Sequence, residues 1–237
     1  MSNYIGKYKK NLSLKGVSKV NRAINETKRS LSYKLLENPS CKSVVLSGVD
    51  CNLCILSGKD SYTKKIHSLP YETFRIGEVV EWENSYGDKS KWLIVETDHN
   101  SDITTVGVMR RCNYVLSWKS EGGNEISKDC VILSDVSYSS GIEEKAHMST
   151  GSSRLTLYVP CDNDTKRIKR GMKFVIDNTD EEPMYYEVVN SNRVSDVYDG
   201  YGVLKYTLSE YARLPSSNTN NDANEYIIGQ NSEGVWL

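Results

Sequence analysis

Beyond Pro39 the apolar residues of this chain occur in short runs that alternate with polar residues, and clusters of Gly, Asn and Asp separate the runs. Alternation is the period of a half-buried strand, and such clusters are typical of the turns between strands. The chain has 16 Tyr and four Trp but only two Phe, a bias that suits pleated surfaces lying partly in water. The sequence therefore predicts a mainly β protein.

The segment before Pro39 has a helical pattern instead. Its apolar residues recur at the spacing of one helical face; they are Val17, Val20, Ile24, Leu31 and Leu35. Basic residues occupy the other faces, and the residue before a proline is biased away from helical angles, so the helix is expected to end at residue 38. We predict one basic amphipathic helix from Leu14 to Asn38.

Charge is divided unevenly along the chain, although its formal total is only -1. Residues 1–36 carry seven Lys and two Arg against one acid, Glu26, a net charge of +8, so residues 37–237 sum to -9. Three roles fit the basic helix: packing on the acidic body, docking into an acidic groove of a partner or neighbouring subunit, or contact with nucleic-acid phosphates.

We predict five segments, the two β units being small antiparallel barrels or sandwiches. They are a basic N-terminal arm and helix (1–39), a first β domain (40–136), a connecting loop (137–151), a second β unit (152–214), and a polar linker with an extended apolar C-terminal arm (215–237). Two hairpins are expected in the first β domain, at 41–57 around Gly48 and at 76–96 around 84–88. Gly107, inside the long run 103–118, predicts a bulge or bend.

The six cysteines do not predict a metal centre. Cys51 and Cys54 form one Cys-x-x-Cys pair, but a structural zinc site needs four ligands, and no second pair or closely spaced histidines accompany it. Three residues apart in an extended strand, these two side chains point to opposite faces. We expect ordinary structural thiols.

Catalytic signatures are also absent from the sequence. It contains no Gly-x-Ser-x-Gly, Walker, Gly-x-Gly-x-x-Gly or His-Glu-x-x-His motif. The acidic stretch 96–102, which includes Asp98 and His99, has the composition of an exposed loop, and Asp162-Asn163-Asp164 is expected to be a turn, not a calcium loop. We assign no catalytic, metal or cofactor-binding residue and predict that the protein is not an enzyme. Without an apolar run of about 18 residues, a membrane partner is not expected either.

Three stretches of sequence carry a resemblance to a known family. They are Trp92-Leu93-Ile94-Val95-Glu96-Thr97-Asp98, then Gly107-Val108-Met109-Arg110-Arg111-Cys112-Asn113-Tyr114-Val115-Leu116-Ser117-Trp118, and finally Cys130-Val131-Ile132. The most specific part is Arg111-Cys112-Asn113 with Trp118. With the basic helical N-terminus, this course from about residue 4 to 210 resembles neck proteins of tailed phages and prophages of Gram-positive bacteria, called head-closure or head-tail connector proteins. The second β unit and the Asn-rich tail depart from a minimal stopper domain.

The resemblance implies a structural virion protein without catalysis. Its members form a ring, dodecameric in the family, that joins the portal and capsid to the tail and helps close the DNA channel. The implied partners are other copies of the chain, a portal or adaptor protein and a tail-side neck or tail protein, with packaged DNA met only in passing. The resemblance also implies that the protein assembles in the host bacterial cytoplasm and lies at the head-tail interface of the virion.

We predict that the interface residues lie on the N-terminal helix, on the most specific strand of the resemblance and on the C-terminal arm. They are Val17, Val20, Arg22, Ile24, Lys28, Arg29, Leu31, Arg111, Asn113, Trp118, Tyr226, Ile227, Trp236 and Leu237. The alternative hypothesis is a tail- or capsid-associated binding or decoration module that contacts a host glycan or another surface protein. A cell-wall hydrolase is a third class, which no motif supports.

Overall fold

The structure is a computed structural model, and it describes residues 4–7, 18–98, 102–119, 123–134, 154–177, 184–211 and 226–228. The predicted fold class is confirmed: the chain is mainly β, with an N-terminal helix, a closed six-stranded barrel and a second, curled sheet. Helix α1 (Lys19–Leu36) is capped at its N-terminus by Ser18, whose hydroxyl accepts the N–H of Asn21 at 3.1 Å. The predicted start of this helix, residues 14–17, lies outside the described residues.

Six antiparallel strands form the barrel. They are β1 (Cys41–Leu46), β2 (Val49–Ser57), β3 (Thr63–Ser68), β4 (Val79–Glu83), β5 (Lys89–Asp98) and β6 (Val106–Arg111). Their order around the barrel is β1-β2-β3-β6-β5-β4, and β4 pairs with β1 to close it. Both predicted hairpins are present, β1 with β2 and β4 with β5.

The β1–β2 turn is tighter than the sequence suggested. It consists of Ser47 and Gly48, which have φ values of 48° and 87°, because a two-residue hairpin turn that follows the strand twist needs positive φ at both positions. Val49 and Asp50 therefore belong to β2 and not to the turn.

Gly107 is explained by a close approach and not by a bend. It lies in regular register opposite Ile66, and a Cβ there would stand 2.6 Å from the Glu96 carbonyl oxygen and 2.7 Å from the ring of Phe74. Phe74 is 1% exposed. The absent side chain of Gly107 thus leaves the space in which this ring packs.

The second sheet contains the remaining strands. They are β7 (Tyr114–Lys119), β8 (Glu125–Ser134), β9 (Arg154–Pro160), β10 (Lys173–Asp177), β11 (Met184–Asn192), β12 (Val197–Tyr198), β13 (Tyr201–Glu210) and β14 (Tyr226–Ile228). Their order is β14-β10-β11-β13-β9-β8-β7, with β12 paired to β13. The pairs are antiparallel except for β10 with β14, which is parallel.

The division of the chain differs from the predicted boundary at residue 136. One compact unit comprises residues 1–75, 80–89 and 94–110, and the other comprises 76–79, 90–93 and 111–237. The run predicted as one strand is two, β6 and β7, because Cys112 and Asn113 interrupt it. Strand β8 pairs with β9, so β7 and β8 join the second sheet. The predicted connecting loop, 137–151, lies outside the described residues.

Tyrosines contribute to the core of the second unit, whereas the sequence predicted that they lie on partly solvent-exposed surfaces. Tyr114 is 3% exposed and Tyr206 is fully buried. Their hydroxyls donate to the carbonyl oxygens of Val175 and Thr165, each at 2.9 Å. Buried tyrosine is tolerated in this core because its hydroxyl finds a partner.

Candidate interaction surface

Helix α1 carries much of the predicted interface. Its 18 residues include five basic side chains and one acidic side chain, a net charge of +4, and none of its residues is buried. Side chains of the predicted apolar stripe differ in exposure: Ile24, Leu31 and Leu35 are half-buried, whereas Val20 is 65% exposed. The helix therefore presents both charge and apolar surface to its surroundings.

The basic side chains of α1 have different environments. Lys28 is half-buried and places its ammonium group 5.4 Å from the ring centroid of Tyr71, a cation-π contact inside the first unit. Arg22 is half-buried, while Arg29 and Lys34 are exposed. Lys28 thus contributes to holding the helix, and Arg29 and Lys34 present their charge to solvent.

An apolar area lies beside the basic one at the end of the helix. Tyr33 is 64% exposed and Leu36 is 53% exposed. An exposed aromatic ring next to an aliphatic side chain and cationic groups is typical of protein contact surfaces, where tyrosine and arginine are enriched. We call Arg29, Tyr33, Lys34 and Leu36, which lie within the last eight residues of α1, the helix surface.

Within the segment 111–118, Trp118 is placed differently from the prediction. Arg111 is exposed at the end of β6, but Trp118 is 4% exposed and belongs to the core of the second unit. The Asn113 side chain donates to the Ile132 carbonyl oxygen and accepts the Ile132 N–H, each at 2.8 Å. These contacts give Asn113 and Trp118 structural roles within the chain.

The predicted C-terminal arm is described only in part. The backbone of residues 226–228 forms β14, which pairs with β10 of the same chain, where the sequence suggested an arm lying on another surface. An added strand satisfies the backbone groups of a strand that would otherwise end the sheet. Val17, Trp236 and Leu237 lie outside the described residues.

Sequence reasoning missed a second exposed apolar area, at the tip of the β12–β13 hairpin. Tyr198 and Tyr201 face each other across the turn Asp199-Gly200 and are 63% and 49% exposed, and nearby Val194 is 82% exposed. Both turn residues have positive φ, 51° and 84°. The Tyr-Asp-Gly-Tyr sequence was the available signal, since Asp-Gly between aromatic residues is typical of a tight hairpin.

The predicted turn at Asp162 is confirmed and is held by charge. The Asp162 carboxylate accepts the N–H groups of Asp164 and Thr165 at 2.9 and 2.8 Å, and Lys128 lies 2.6 Å from it. Burial alone would raise the pKa of Asp162, but the contacts with Lys128 and Thr165 outweigh it and hold that pKa below its usual value. This cluster is a structural turn.

No disulfide joins the cysteines in the described part of the chain, and Cys51 and Cys54 both lie in β2 as predicted. Burial raises the pKa of the Cys112 thiol to about 12 and also raises that of Cys130. Such thiols stay protonated at neutral pH and are poor nucleophiles. Among the described residues, no group of three or more His, Cys, Asp or Glu side chains is arranged to hold a metal ion, and none of the helices there is long and apolar enough to cross a membrane.

Comparison with known proteins finds a similarity in structure but no match in sequence. No family model matches the chain, and no curated protein matches it. Among solved structures, that of K. pneumonia MrkH in its apo state is similar at 10% identity, covering 79% of this chain and 87% of that chain, with a TM-score of 0.26.

Proposed function

We propose that this chain is a structural protein of a phage neck, which forms a ring joining the portal and capsid to the tail and helps close the DNA channel. The observation that carries the proposal most directly is the helix surface, where exposed apolar and cationic side chains lie together on a well-capped helix. Such a surface is suited to burial against a second protein.

Charge favours another copy of the chain, or a similarly acidic protein, as the partner of this surface. The segment 1–36 carries +8 and the remainder of the chain -9, so a helix of one subunit and the body of the next attract each other. Contacts of this head-to-tail kind close into a ring when the rotation between subunits fits. We further propose that acidic residues of the segment 37–237 line the channel of such a ring, because an acidic wall would not bind the passing DNA.

Electron microscopy of the purified chain, alone and with portal protein, tests this function. We expect rings that form alone or complete on the portal. The double variant Arg29→Glu with Lys34→Glu should lose them, because it reverses two exposed charges of the helix surface. A charge-matched control, Lys59→Glu with Lys119→Glu, changes two exposed lysines elsewhere and should keep them. A chain that remains monomeric with portal would contradict the proposal, and a basic lumen in the ring would contradict the placement of the acids.

A virion-associated binding module is the second candidate, and the β12–β13 tip favours it. Two exposed tyrosine rings on a tight hairpin offer flat apolar faces of the kind that stack on sugars or on another protein. Replacing Tyr198 and Tyr201 with Ser should abolish binding to host cells or cell walls if this candidate is correct. Tyr62→Ser with Tyr86→Ser, which alters two exposed tyrosines of the first unit, is the matched control. Unchanged binding after loss of the hairpin tyrosines would reject this candidate.

A further inference from the structure

Two cysteines face each other across neighbouring strands of the barrel. Cys41 is the first residue of β1 and is opposite Cys54 of β2 in the antiparallel register. Directly opposite residues of an antiparallel pair project from the same face of the sheet. The sequence alone does not indicate this pair, because its conspicuous motif is the Cys-x-x-Cys formed by Cys51 and Cys54.

The backbone hydrogen bonds define which kind of pair this is. The Ile55 N–H donates to the Ser40 carbonyl at 2.8 Å, which makes the adjacent positions 40 and 55 a hydrogen-bonded pair. Because the two kinds of pair alternate along an antiparallel ladder, Cys41 and Cys54 occupy a non-hydrogen-bonded position. Cα atoms at such positions are about 4.5 Å apart, within the roughly 4.4 to 6.8 Å that disulfides span.

The two thiols of this pair differ in exposure and interact electrostatically. Cys41 is half-buried and Cys54 is 3% exposed, and the nearby Cys41 contributes to a raised pKa of Cys54. Cys51, in the same strand, is opposite Val44 and not opposite another cysteine. The register therefore singles out one pair of thiols in the barrel.

We propose that Cys41 and Cys54 are a modification site that forms a reversible cross-strand disulfide when the folded protein meets a hydroperoxide. The more accessible Cys41 sulfur loses its proton and attacks one peroxide oxygen, which breaks the O–O bond and forms a sulfenic acid; the other oxygen leaves as hydroxide and takes that proton to become water. The Cys54 sulfur then attacks the Cys41 sulfur, and the hydroxyl group leaves as water with the Cys54 proton. In sum, two thiols and one hydrogen peroxide give one disulfide and two waters, with the two sulfurs losing two electrons to the peroxide.

The two thiols have different roles in this sequence because their surroundings differ. Burial first, and then the neighbouring Cys41, raise the pKa of Cys54 to about 11. A thiol held protonated reacts slowly with peroxide, so Cys54 acts as the resolving thiol. The resulting bond ties the residue at which the chain enters the barrel to the adjacent strand, and it closes the β1–β2 hairpin covalently.

The test uses the full chain, purified in reduced form and treated with a small excess of hydrogen peroxide before alkylation and peptide mapping without reductant. We expect two of the six thiols to be lost, a peptide linking Cys41 to Cys54, and full recovery of both thiols with dithiothreitol. Cys41→Ser should abolish the linked peptide, and this half-buried position tolerates serine better than the buried Cys54. Cys51→Ser, in the same strand, should leave the linked peptide unchanged.

Other results of the same experiment would overturn the proposal. They are oxidation of Cys41 to the sulfinic acid while Cys54 remains open to alkylation, linkage between other cysteines, or equal thiol loss in the wild type and the Cys41→Ser variant. The disulfide does not depend on assembly, so these outcomes are separate from whether the chain forms a ring.

Discussion

The Asn113 carboxamide pairs with the backbone of Ile132 as another strand would, through one donated and one accepted hydrogen bond of 2.8 Å each. Asn113 lies just before β7, and Ile132 lies in β8, which also pairs with β9 through Ile132 and Leu157. One side chain therefore extends the ladder where β7 has not yet begun.

We expect Asn113→Ala to lower the free energy of unfolding by about 1 to 2 kcal/mol, because both backbone groups of Ile132 lose a partner in a partly exposed position. Urea denaturation followed by tryptophan fluorescence measures the change. Asn113→Asp keeps the acceptor but loses the donor, so it should cost an intermediate amount. An alanine variant as stable as the wild type would contradict this role.

Gly107→Ala should destabilise the barrel by about 2 kcal/mol, since the added methyl group meets the Glu96 carbonyl and the buried Phe74 ring. Thermal unfolding monitored by circular dichroism would show the lower midpoint. Gly6→Ala is the control, because a Cβ at Gly6 meets nothing within 4 Å. Equal midpoints for the two variants would show that Gly107 is not needed for packing.

Two substitutions in the β1–β2 turn should change the free energy of unfolding in opposite directions. Ser47→Asn should stabilise the chain by about 0.5 to 1 kcal/mol, because asparagine adopts positive φ more readily than serine and Asn-Gly suits this turn. Gly48→Ala should destabilise it by about 1 kcal/mol, even though a Cβ there meets nothing within 4 Å. Chemical denaturation of both variants checks the pair, and changes of the same sign would reject the turn geometry.

We expect the free energy of unfolding to fall at acidic pH, partly because Asp162 becomes protonated there. Its pKa in the folded chain lies below the usual 3.8, so its contribution is present above that pH and is lost as the pH falls through the lower folded value. Asp162→Asn retains an oxygen that accepts the Thr165 N–H but loses the charge facing Lys128. We expect about 1 kcal/mol lower stability for this variant at neutral pH, and a difference from wild type that shrinks below about pH 4. A constant difference across that range, measured by urea titrations, would exclude the charge contribution.

Part of the candidate surface could be read directly from the sequence. The helical spacing of Ile24, Leu31 and Leu35 predicted the side of α1 that is half-buried, and the charge count predicted its cationic character. Trp118 and Asn113 could not be placed in this way. Whether a tryptophan in an alternating run packs inside or faces outward depends on what covers its face of the sheet, and Asn113 acquires its role only from Ile132, 19 residues further along.

Local patterns in the sequence predicted the features that depend on neighbouring residues: a basic helix, strands of period two, and hairpins closed by short turns. Contacts between distant parts of the chain place β6 in the barrel and β7 in the second sheet, and they bring Cys41 opposite Cys54. The difference arises from the sequence range of the hydrogen bonds. Helices and turns close theirs within a few residues, whereas strand partners are selected by packing across the folded chain, which a local pattern does not contain.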